Sequence, residues 1–230
     1  MTKSEPLPDE PALSWRELAV ARSLDSARTR AENRVQRFLD AALELMSDSD
    51  SGSEFTVQEV VERSGQSLRS FYQYFGGKHE LLLALFEESV RSTTEVLRER
   101  VAEEHDPGGR LHRFVVEYYR LCRPARKGRA SAKGLTRGMV EFAQQLLTQY
   151  PTEAARVFVP LVSLFKELLD DAAAAGVVRG GLRHERVAGV LLESIMFHTF
   201  STTIGGLHVR ADTEEAEELW DLLLHGIGAR

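Results

Sequence analysis

The sequence predicts an all-α protein with a small N-terminal head of three helices and a larger C-terminal helical body. Apolar residues recur at three- and four-residue spacing through most of the 230 positions, and no series of segments has the two-residue alternation of strands. Capping residues and Gly or Pro breaks separate the periodic segments. The shortest segments precede residue 78 and the long ones follow it, so we expect two helical domains of unequal size.

The arm, residues 1–25, is expected to be disordered at first and to end in a short helix. Its first 13 residues are polar and include three prolines. Ser14 then precedes Trp15 and Leu18, which have the spacing of a capped helix. The arm lacks the apolar stretch of a signal peptide.

The head, residues 26–77, is expected to hold three helices. The first has apolar residues at helical spacing and ends at a polar loop. Thr56 is placed to cap the second helix, which ends at Gly65, and Ser67 to cap the third. The predicted segments are about 26–46, 57–64 and 68–75.

The body, residues 78–230, begins with a long helix after a break at Gly76 and Gly77. Further amphipathic segments follow, separated by Gly and Pro breaks that include Pro151 and Pro160. We expect helices at about 78–104, 111–119, 139–147, 162–175, 187–204 and 213–224.

Composition excludes several classes of protein. The net charge of −6 argues against nonspecific coating of nucleic acid, but it is compatible with a small local contact patch. Cys122 is the single cysteine, which rules out an internal disulfide and suits a reducing, cytoplasmic location. No segment approaches the ~18 consecutive apolar residues of a membrane helix, so we expect no membrane partner.

Sequence signals of catalysis are missing. The GGKH at residues 76–79 lacks the glycine and the Ser or Thr of a phosphate-binding loop. No Gly-x-Ser-x-Gly, His-Glu-x-x-His or paired-Cys motif occurs, and the seven histidines are scattered. We therefore expect no enzymatic activity, no cofactor and no metal.

Residues 57–75 have the spacing of a helix-turn-helix, with SGQS as the turn. At about 100° per residue, the third helix directs Phe71 and Phe75 inward together with Leu68. Its outer face and flanks carry Arg69, Ser70, Tyr72, Gln73 and Tyr74.

The outer face of this helix has the chemistry of a DNA contact. Arg and Gln side chains form bidentate bonds with purine edges in the major groove, and the tyrosine hydroxyls can reach phosphates. Thr56 and Lys78 lie at helix starts, where backbone N–H groups favour an anion, and Gln58 follows Thr56. An amphipathic helix with a solvated polar face fits the pattern equally well, so the wheel alone leaves both interpretations open.

The stretch TVQEVVERSGQSLRSFYQYFGGKHELL resembles the DNA-binding domain of TetR-type transcriptional regulators, in a match that extends over about residues 35–86. Its Thr-Val, apolar pair, Gly, Ser-led aromatic helix and Lys-x-x-Leu stand in fixed register. The resemblance implies a repressor that binds a palindromic double-stranded DNA operator and is released by a small, apolar or acyl-type effector. The DNA-binding residues that it implies are Thr56, Gln58, Ser67, Leu68, Arg69, Ser70, Tyr72, Gln73, Tyr74 and Lys78.

The chain departs from the family pattern at three of these positions or beside them. Gln66 replaces an apolar residue in the turn, and Tyr74 replaces the more common His while keeping a donor. Gly77 replaces a Ser or Asn cap, which leaves Glu80 to support the start of the next helix. The wheel turns Leu68 inward, whereas the resemblance places it in the DNA groove, and this point stays open.

The resemblance also implies a homodimer formed by the last two helices, about residues 183–204 and 213–227. Two recognition helices about 34 Å apart would then contact a near-palindrome. The apolar residues available for this interface, or alternatively for the core, are Val187, Val190, Leu191, Ile195, Leu219, Trp220, Leu222 and Leu223.

Members of the family bind a small molecule inside the body. The candidate lining residues here are aromatic or Met, which suggests an apolar ligand, although a place in the core explains each of them as well. They are Phe114, Tyr118, Met139, Phe142, Phe165, Met196, Phe197 and Phe200.

Residues 120–137 contain seven basic side chains and no acidic one. A solvated loop explains them, and a basic mouth for a phosphorylated ligand such as an acyl-CoA is the alternative. A second class of function also stays open, namely a helical ligand-binding protein or enzyme that keeps the head only as scaffold.

Overall fold

The computed structural model describes residues 14–48, 55–122, 137–204 and 213–227. Within these ranges the chain forms nine helices and no strand, which confirms the all-α prediction. The helices are α1 Trp15–Asp48, α2 Val57–Ser64, α3 Leu68–Tyr74, α4 Lys78–Ala102, α5 Pro107–Leu121, α6 Arg137–Gln149, α7 Pro151–Ala174, α8 His184–Ile204 and α9 Thr213–Ile227.

The head consists of α2, α3 and the C-terminal part of α1, packed around Phe38. The Phe38 ring makes edge contacts with Phe71 and Phe75, at 5.4 and 6.1 Å between ring centroids. Phe38 and Phe71 are 0% exposed, and Val60 of α2 is buried in the same core. Each buried Phe contributes roughly 1.5–3 kcal/mol to folding, so these rings hold α3 against α1. The predicted inward positions of Phe71 and Phe75 are confirmed.

The first helix is longer than the sequence predicts. A short helix after Ser14 and a second one from residue 26 are in fact one helix, α1, which runs without interruption from Trp15 to Asp48. This segment contains no Gly or Pro that would interrupt a helix. Ser26 is exposed, so its hydroxyl can bond to water and does not compete for the backbone hydrogen bonds of the helix. Ser14 caps this helix, because its hydroxyl accepts a hydrogen bond from the Glu17 N–H at 3.3 Å.

The body surrounds α4 and α7. Helix α4 packs against α5 and α7, α7 packs against α6 and α8, and α9 packs against α5. The predicted break at Pro160 is wrong, because α7 continues through it. Pro160 is exposed, so water can satisfy the backbone carbonyl that loses its helical partner.

Some predictions fall outside the described residues. These are the order of residues 1–13, the loop at 49–54 and most of the basic stretch, at 123–136. The division into 1–25, 26–77 and 78–230 stays a prediction, although its first boundary lies inside α1.

Candidate nucleic-acid interface and ligand cleft

Helix α2 begins with a capping box. The Thr56 hydroxyl accepts a hydrogen bond from the Glu59 N–H at 3.2 Å, and the Glu59 carboxylate accepts from the Thr56 N–H at 2.7 Å. The bonds from the Thr56 backbone and then from its hydroxyl, together with the nearby charge of Lys78, lower the pKa of Glu59. Glu59 is absent from the residues predicted to serve the interface, although Thr-x-x-Glu is the sequence signal of such a box.

The turn between α2 and α3 is held by backbone geometry and a second cap. Gly65 has φ 64°, in the left-handed region that favours glycine. The Ser67 hydroxyl accepts from the Ser70 N–H at 3.1 Å and so begins α3. The predicted caps at Thr56 and Ser67 are therefore confirmed.

Helix α3 presents a contiguous outer face to solvent. Arg69 and Gln73 are exposed, Tyr72 is 57% exposed, and Leu68 is 43% exposed. The wheel prediction that Leu68 turns inward is wrong. A helical side chain covers the turn that precedes its own Cα, and Leu68 is the first residue of α3, so no helical turn lies beneath it.

Two of the residues predicted to contact DNA are less exposed to solvent than the others. The Ser70 hydroxyl oxygen is enclosed and has no hydrogen-bond partner among the described residues, so it must rotate before it can reach a base. Tyr74 is half-buried and packs against the core of the head. The ring of a tyrosine in this position packs in the core, and its hydroxyl group is the part that can form a polar contact outside the core.

Lys78 begins α4 and is fixed against Phe55. Its Nζ donates to the Phe55 carbonyl oxygen at 2.5 Å and lies 4.3 Å from the centre of the Phe55 ring. At the same helix start, the Gly76 N–H donates to the Glu80 carboxylate at 2.7 Å, which confirms that Glu80 supports this end. The side chain of Gln58, on α2, is exposed and donates to Glu62 at 2.9 Å.

A cleft of about 460 Å³ opens between α5, α6, α7 and α8. Its volume is within the ~300–1,000 Å³ of typical small-molecule sites. Most of its wall is apolar, and its polar side chains include Ser163, Glu185 and Glu193. The apolar wall includes Tyr118, Leu147, Ala154, Phe158, Val162, Leu192 and Met196.

A second, smaller space of about 30 Å³ shares part of its wall with this cleft. Tyr118, Phe158 and Met196 line both spaces, so a shift of these three side chains would join them. Cys122 also lines the smaller space, and burial raises the pKa of its thiol to about 12. The thiol therefore stays protonated at neutral pH and behaves as an apolar wall.

Comparison with known proteins identifies the head. The sequence model of the bacterial regulatory proteins of the tetR family matches residues 38–85, which include the capped α2, the turn and α3. The match shows that the head of this chain is a DNA-binding helix-turn-helix domain of the tetR type.

Solved structures of other regulators share the fold over more than four fifths of the chain. The fatty acid degradation regulator FadR of Bacillus halodurans is 19% identical, with a TM-score of 0.65, over 83% of this chain and 94% of its own. FadR of Bacillus subtilis, in complex with stearoyl-CoA, is 17% identical with a TM-score of 0.66, over 84% and 98%. FadR of Thermus thermophilus, a TetR-family repressor in complex with lauroyl-CoA, is 24% identical with a TM-score of 0.59, over 85% and 96%. No curated protein matches the chain in sequence.

The eight predicted ligand residues do not form one group. Tyr118 and Met196 line the cleft. Phe197 is 66% exposed, because it lies about 100° around α8 from Met196. The Phe200 side chain lies outside the described residues. The other four are buried and do not line the cleft, namely Phe114, Met139, Phe142 and Phe165.

Packing explains why these four belong to the core. The Phe114 and Phe165 rings stack at 4.4 Å, and Phe142 lies at 6.2 Å from Phe86. Aromatic and Met composition does not distinguish such residues from lining residues. The cleft has instead small and β-branched residues on its α7 side, which carry no sequence signal of a site.

The basic stretch is only partly described. Arg120 is exposed and donates to the buried carboxylate of Glu117 at 2.8 Å, so the first basic residue is an ion-pair partner. The residues at 123–136, where most of the charge lies, are outside the described part of the chain.

His79 connects the head end of α4 to the body. Its Nε2 lies 3.0 Å from a Glu153 carboxylate oxygen, and its ring lies 4.5 Å from the ring of Tyr150. Pro151 and Ala154, on the same turn of α7, line the cleft. These residues are far apart in the sequence, so no local motif predicts the contact.

No cluster of three or more His, Cys, Asp or Glu side chains is placed to hold a metal ion within residues 14–48, 55–122, 137–204 and 213–227. Across the same ranges, no helix combines the length and apolarity needed to span a membrane.

Proposed function

We propose that the chain is a sequence-specific transcriptional repressor that binds a palindromic operator as a homodimer and is released by an apolar or acyl-type effector. The observation that carries this proposal is the outer face of α3, where Leu68, Arg69, Tyr72 and Gln73 are exposed together. The aromatic cluster beneath them fixes the helix, so these side chains are presented on a rigid element.

Each exposed group has a role in this proposal. Arg69 and Gln73 form bidentate hydrogen bonds with purine edges, and the Leu68 side chain contacts a thymine methyl group. Tyr72 and the start of α4 at Lys78 contact phosphates on the two sides of the groove. The remaining contacts that we propose are made by Thr56, Gln58, Ser67, Ser70 and Tyr74.

The proposed dimer is formed by α8 and α9. Val190 and Phe197 of α8 are 53% and 66% exposed, and Leu222 of α9 is 71% exposed. Large apolar side chains exposed on the surface of a protein are typical of a face that a second copy covers.

The proposed effector has an alkyl or acyl chain that enters the cleft between α5 and α8. The apolar wall and the volume of about 460 Å³ support this class of ligand. Two structural relatives were solved with acyl-CoA molecules, which makes acyl-CoA the first class to test. In this proposal the basic residues at 120–137 contact the phosphates of the CoA moiety.

Release requires a connection from the cleft to the head, and we assign it to His79. A ligand that moves the α6–α7 corner at Pro151 would displace Tyr150 and Glu153, which contact His79. His79 follows Lys78 at the start of α4, so a shift there changes the spacing of the two heads in the dimer.

Enrichment of duplexes from a random-sequence pool tests the DNA-binding proposal. The parental protein should enrich an inverted repeat, and the enriched duplex should bind at least 10³-fold more tightly than a shuffled one. Enrichment of no sequence over the input pool would contradict the proposal.

Titration of the protein–operator complex with acyl-CoAs tests the effector class. Lauroyl-CoA and stearoyl-CoA should release the enriched duplex, whereas CoA without an acyl chain should not. Absence of release by every chain length would exclude acyl-CoA, and equal release by free CoA would exclude the cleft as the site.

A further inference from the structure

Helix α1 carries a basic face that the proposed contacts of α2, α3 and α4 do not use. The side chains of residues 14–17 and 20–34 are exposed apart from the half-buried Ala31, so this part of α1 extends beyond the packed head. At 1.5 Å per residue it is about 30 Å long. All of it precedes residues 38–85, the segment that matches the family model.

Charges on α1 are separated between two sides of the helix. At about 100° per residue, Arg16, Arg30, Arg34 and Arg37 lie within about 60° of one another. We call these four residues the basic face. The acids Glu17, Asp25 and Glu32 lie on the opposite side, where Glu32 pairs with Arg28 at 2.7 Å.

No acid among the described residues forms an ion pair with the basic face. The next acids along α1 are engaged elsewhere, since Asp40 accepts from Gln36 at 2.9 Å and Glu44 pairs with Arg63 at 3.2 Å. Four exposed guanidinium groups without a neighbouring counter-charge favour a polyanion as partner.

A cleft places the basic face beside the recognition helix. Arg30, Arg34 and Arg37 share a space of about 400 Å³ with Gln66, and Asn33 lines it as well. Gln66 lies in the turn immediately before Ser67 and α3. The N-terminal end of a recognition helix contacts base edges, so this space opens next to the DNA that α3 would occupy.

We infer that the basic face of α1 binds the phosphate backbone of DNA flanking the segment contacted by α3, an inference that rests on the proposed function. Arginine is suited to phosphate because its planar guanidinium donates two parallel hydrogen bonds. The residues that project farthest from the head extend this contact beyond the half-site. Gln66, an unusual polar residue in the turn, is placed to join the same phosphate contact as Arg34.

A second copy of this chain is the less suitable occupant. Pairing of two basic faces would bring like charges together, which costs free energy. The exposed apolar residues of this segment, Val20 and Leu24, lie beside the basic face and not on it.

Substitution of three arginines tests the inference. The variant R30Q/R34Q/R37Q and the matched control R28Q, on the opposite side of α1, are titrated with the enriched duplex at several salt concentrations. Each lost phosphate contact reduces the slope of log K against log salt by about 0.9, so the proposed dimer, which loses three arginines from each of its two copies, should lose up to about 5.4. Between 50 and 200 mM salt, parental affinity should then fall up to about 1,800-fold more than that of the triple variant.

Length of the duplex provides a second measurement. Ten added base pairs on each side of the enriched duplex should increase the affinity of the parent and of R28Q, but not that of the triple variant. If the parent binds the enriched duplex and the triple variant keeps its slope and its gain from flanks, the inference is wrong while the proposed function stands. If the parent enriches no duplex, the proposed function itself fails.

Self-association is measured on the same samples without DNA. Sedimentation should give the same oligomeric state for the parent and the triple variant. A change confined to the triple variant would mean that the basic face contacts a second copy, and it would overturn the inference.

Discussion

Arg69 is the exposed cation of α3, and its role can be tested separately from the fold. Arg69→Ala should weaken binding to the enriched duplex by about 1–3 kcal/mol and relax the preference at one base pair of each half-site. Arg98→Ala, an exposed arginine of α4 that pairs weakly with Glu167 at 3.8 Å, is the matched control. If the parent and Arg69→Ala bind the duplex with equal affinity whichever base stands at each position, Arg69 does not belong to the recognition face.

Glu59 makes the stability of the head depend on pH. Its pKa is lowered, first by the bond from the Thr56 N–H, so its contribution is complete above the ordinary value of 4.5 and is lost as pH falls through the lower folded value. Glu59→Gln keeps the cap without the charge, so its Tm should fall less than the parental Tm as pH decreases below 4.5. Glu99→Gln, an exposed change on α4, should follow the parental curve, and an identical curve for Glu59→Gln would contradict the assignment.

Leu68 and Ser70 show where residue-level prediction fails. The wheel places both by angle alone, so it cannot register that Leu68 has no helical turn beneath it or that the Ser70 hydroxyl is enclosed. Phe71, inside α3, and Phe75, directly after it, are predicted correctly because each has a large apolar side chain that is buried in the head. The first turn of this seven-residue helix is therefore its least predictable part.

At the scale of elements, the head depends on the aromatic cluster under α3. Phe71→Ala should destabilise the protein by about 3–5 kcal/mol, because it removes a ring that is 0% exposed and leaves a cavity. Tyr72→Ala, one residue further on and 57% exposed, should cost less than about 1 kcal/mol while weakening DNA binding. Urea denaturation followed by circular dichroism measures both, and equal losses would contradict the packing of α3.

The contact between α4 and α7 should carry the effector response. His79→Ala removes the side chain that lies 3.0 Å from Glu153, so operator and effector should still bind while effector-driven release weakens by more than about fivefold. Arg156→Ala is the control, since Arg156 reaches Glu87 at 3.7 Å across the same two helices. If the ratio of operator affinities with and without effector is the same in His79→Ala as in the parental protein, this coupling is excluded.

Elements differ in how far the sequence determines them. The capped helices α2 and α3 follow from Thr56, Gly65 and Ser67, because capping is a local interaction. The uninterrupted α1 and the continuation of α7 through Pro160 depend on the exposure of Ser26 and Pro160 to water. A local sequence pattern does not specify whether such a residue is exposed. The lining of the cleft depends on how four helices pack together. Its small residues are of types found on any helix surface, so the sequence does not distinguish them.

At the scale of the whole molecule, the proposed dimer depends on the exposed apolar side of α8. Phe197→Glu places a charge at a residue that is 66% exposed in one chain, so it should shift sedimentation from dimer to monomer and weaken operator binding. Val20→Glu, a similar change at a 53% exposed residue of α1, should leave the dimer intact. A stable Phe197→Glu dimer would contradict the assignment of this surface.

The central claim is that two copies of α3 contact two half-sites of one duplex. Hydroxyl-radical footprinting of the parental protein on the enriched duplex measures this most directly. We predict two protected stretches related by two-fold symmetry, with centres about 34 Å apart or a multiple of that distance. A single protected stretch, or uniform weak protection along the duplex, would contradict the account.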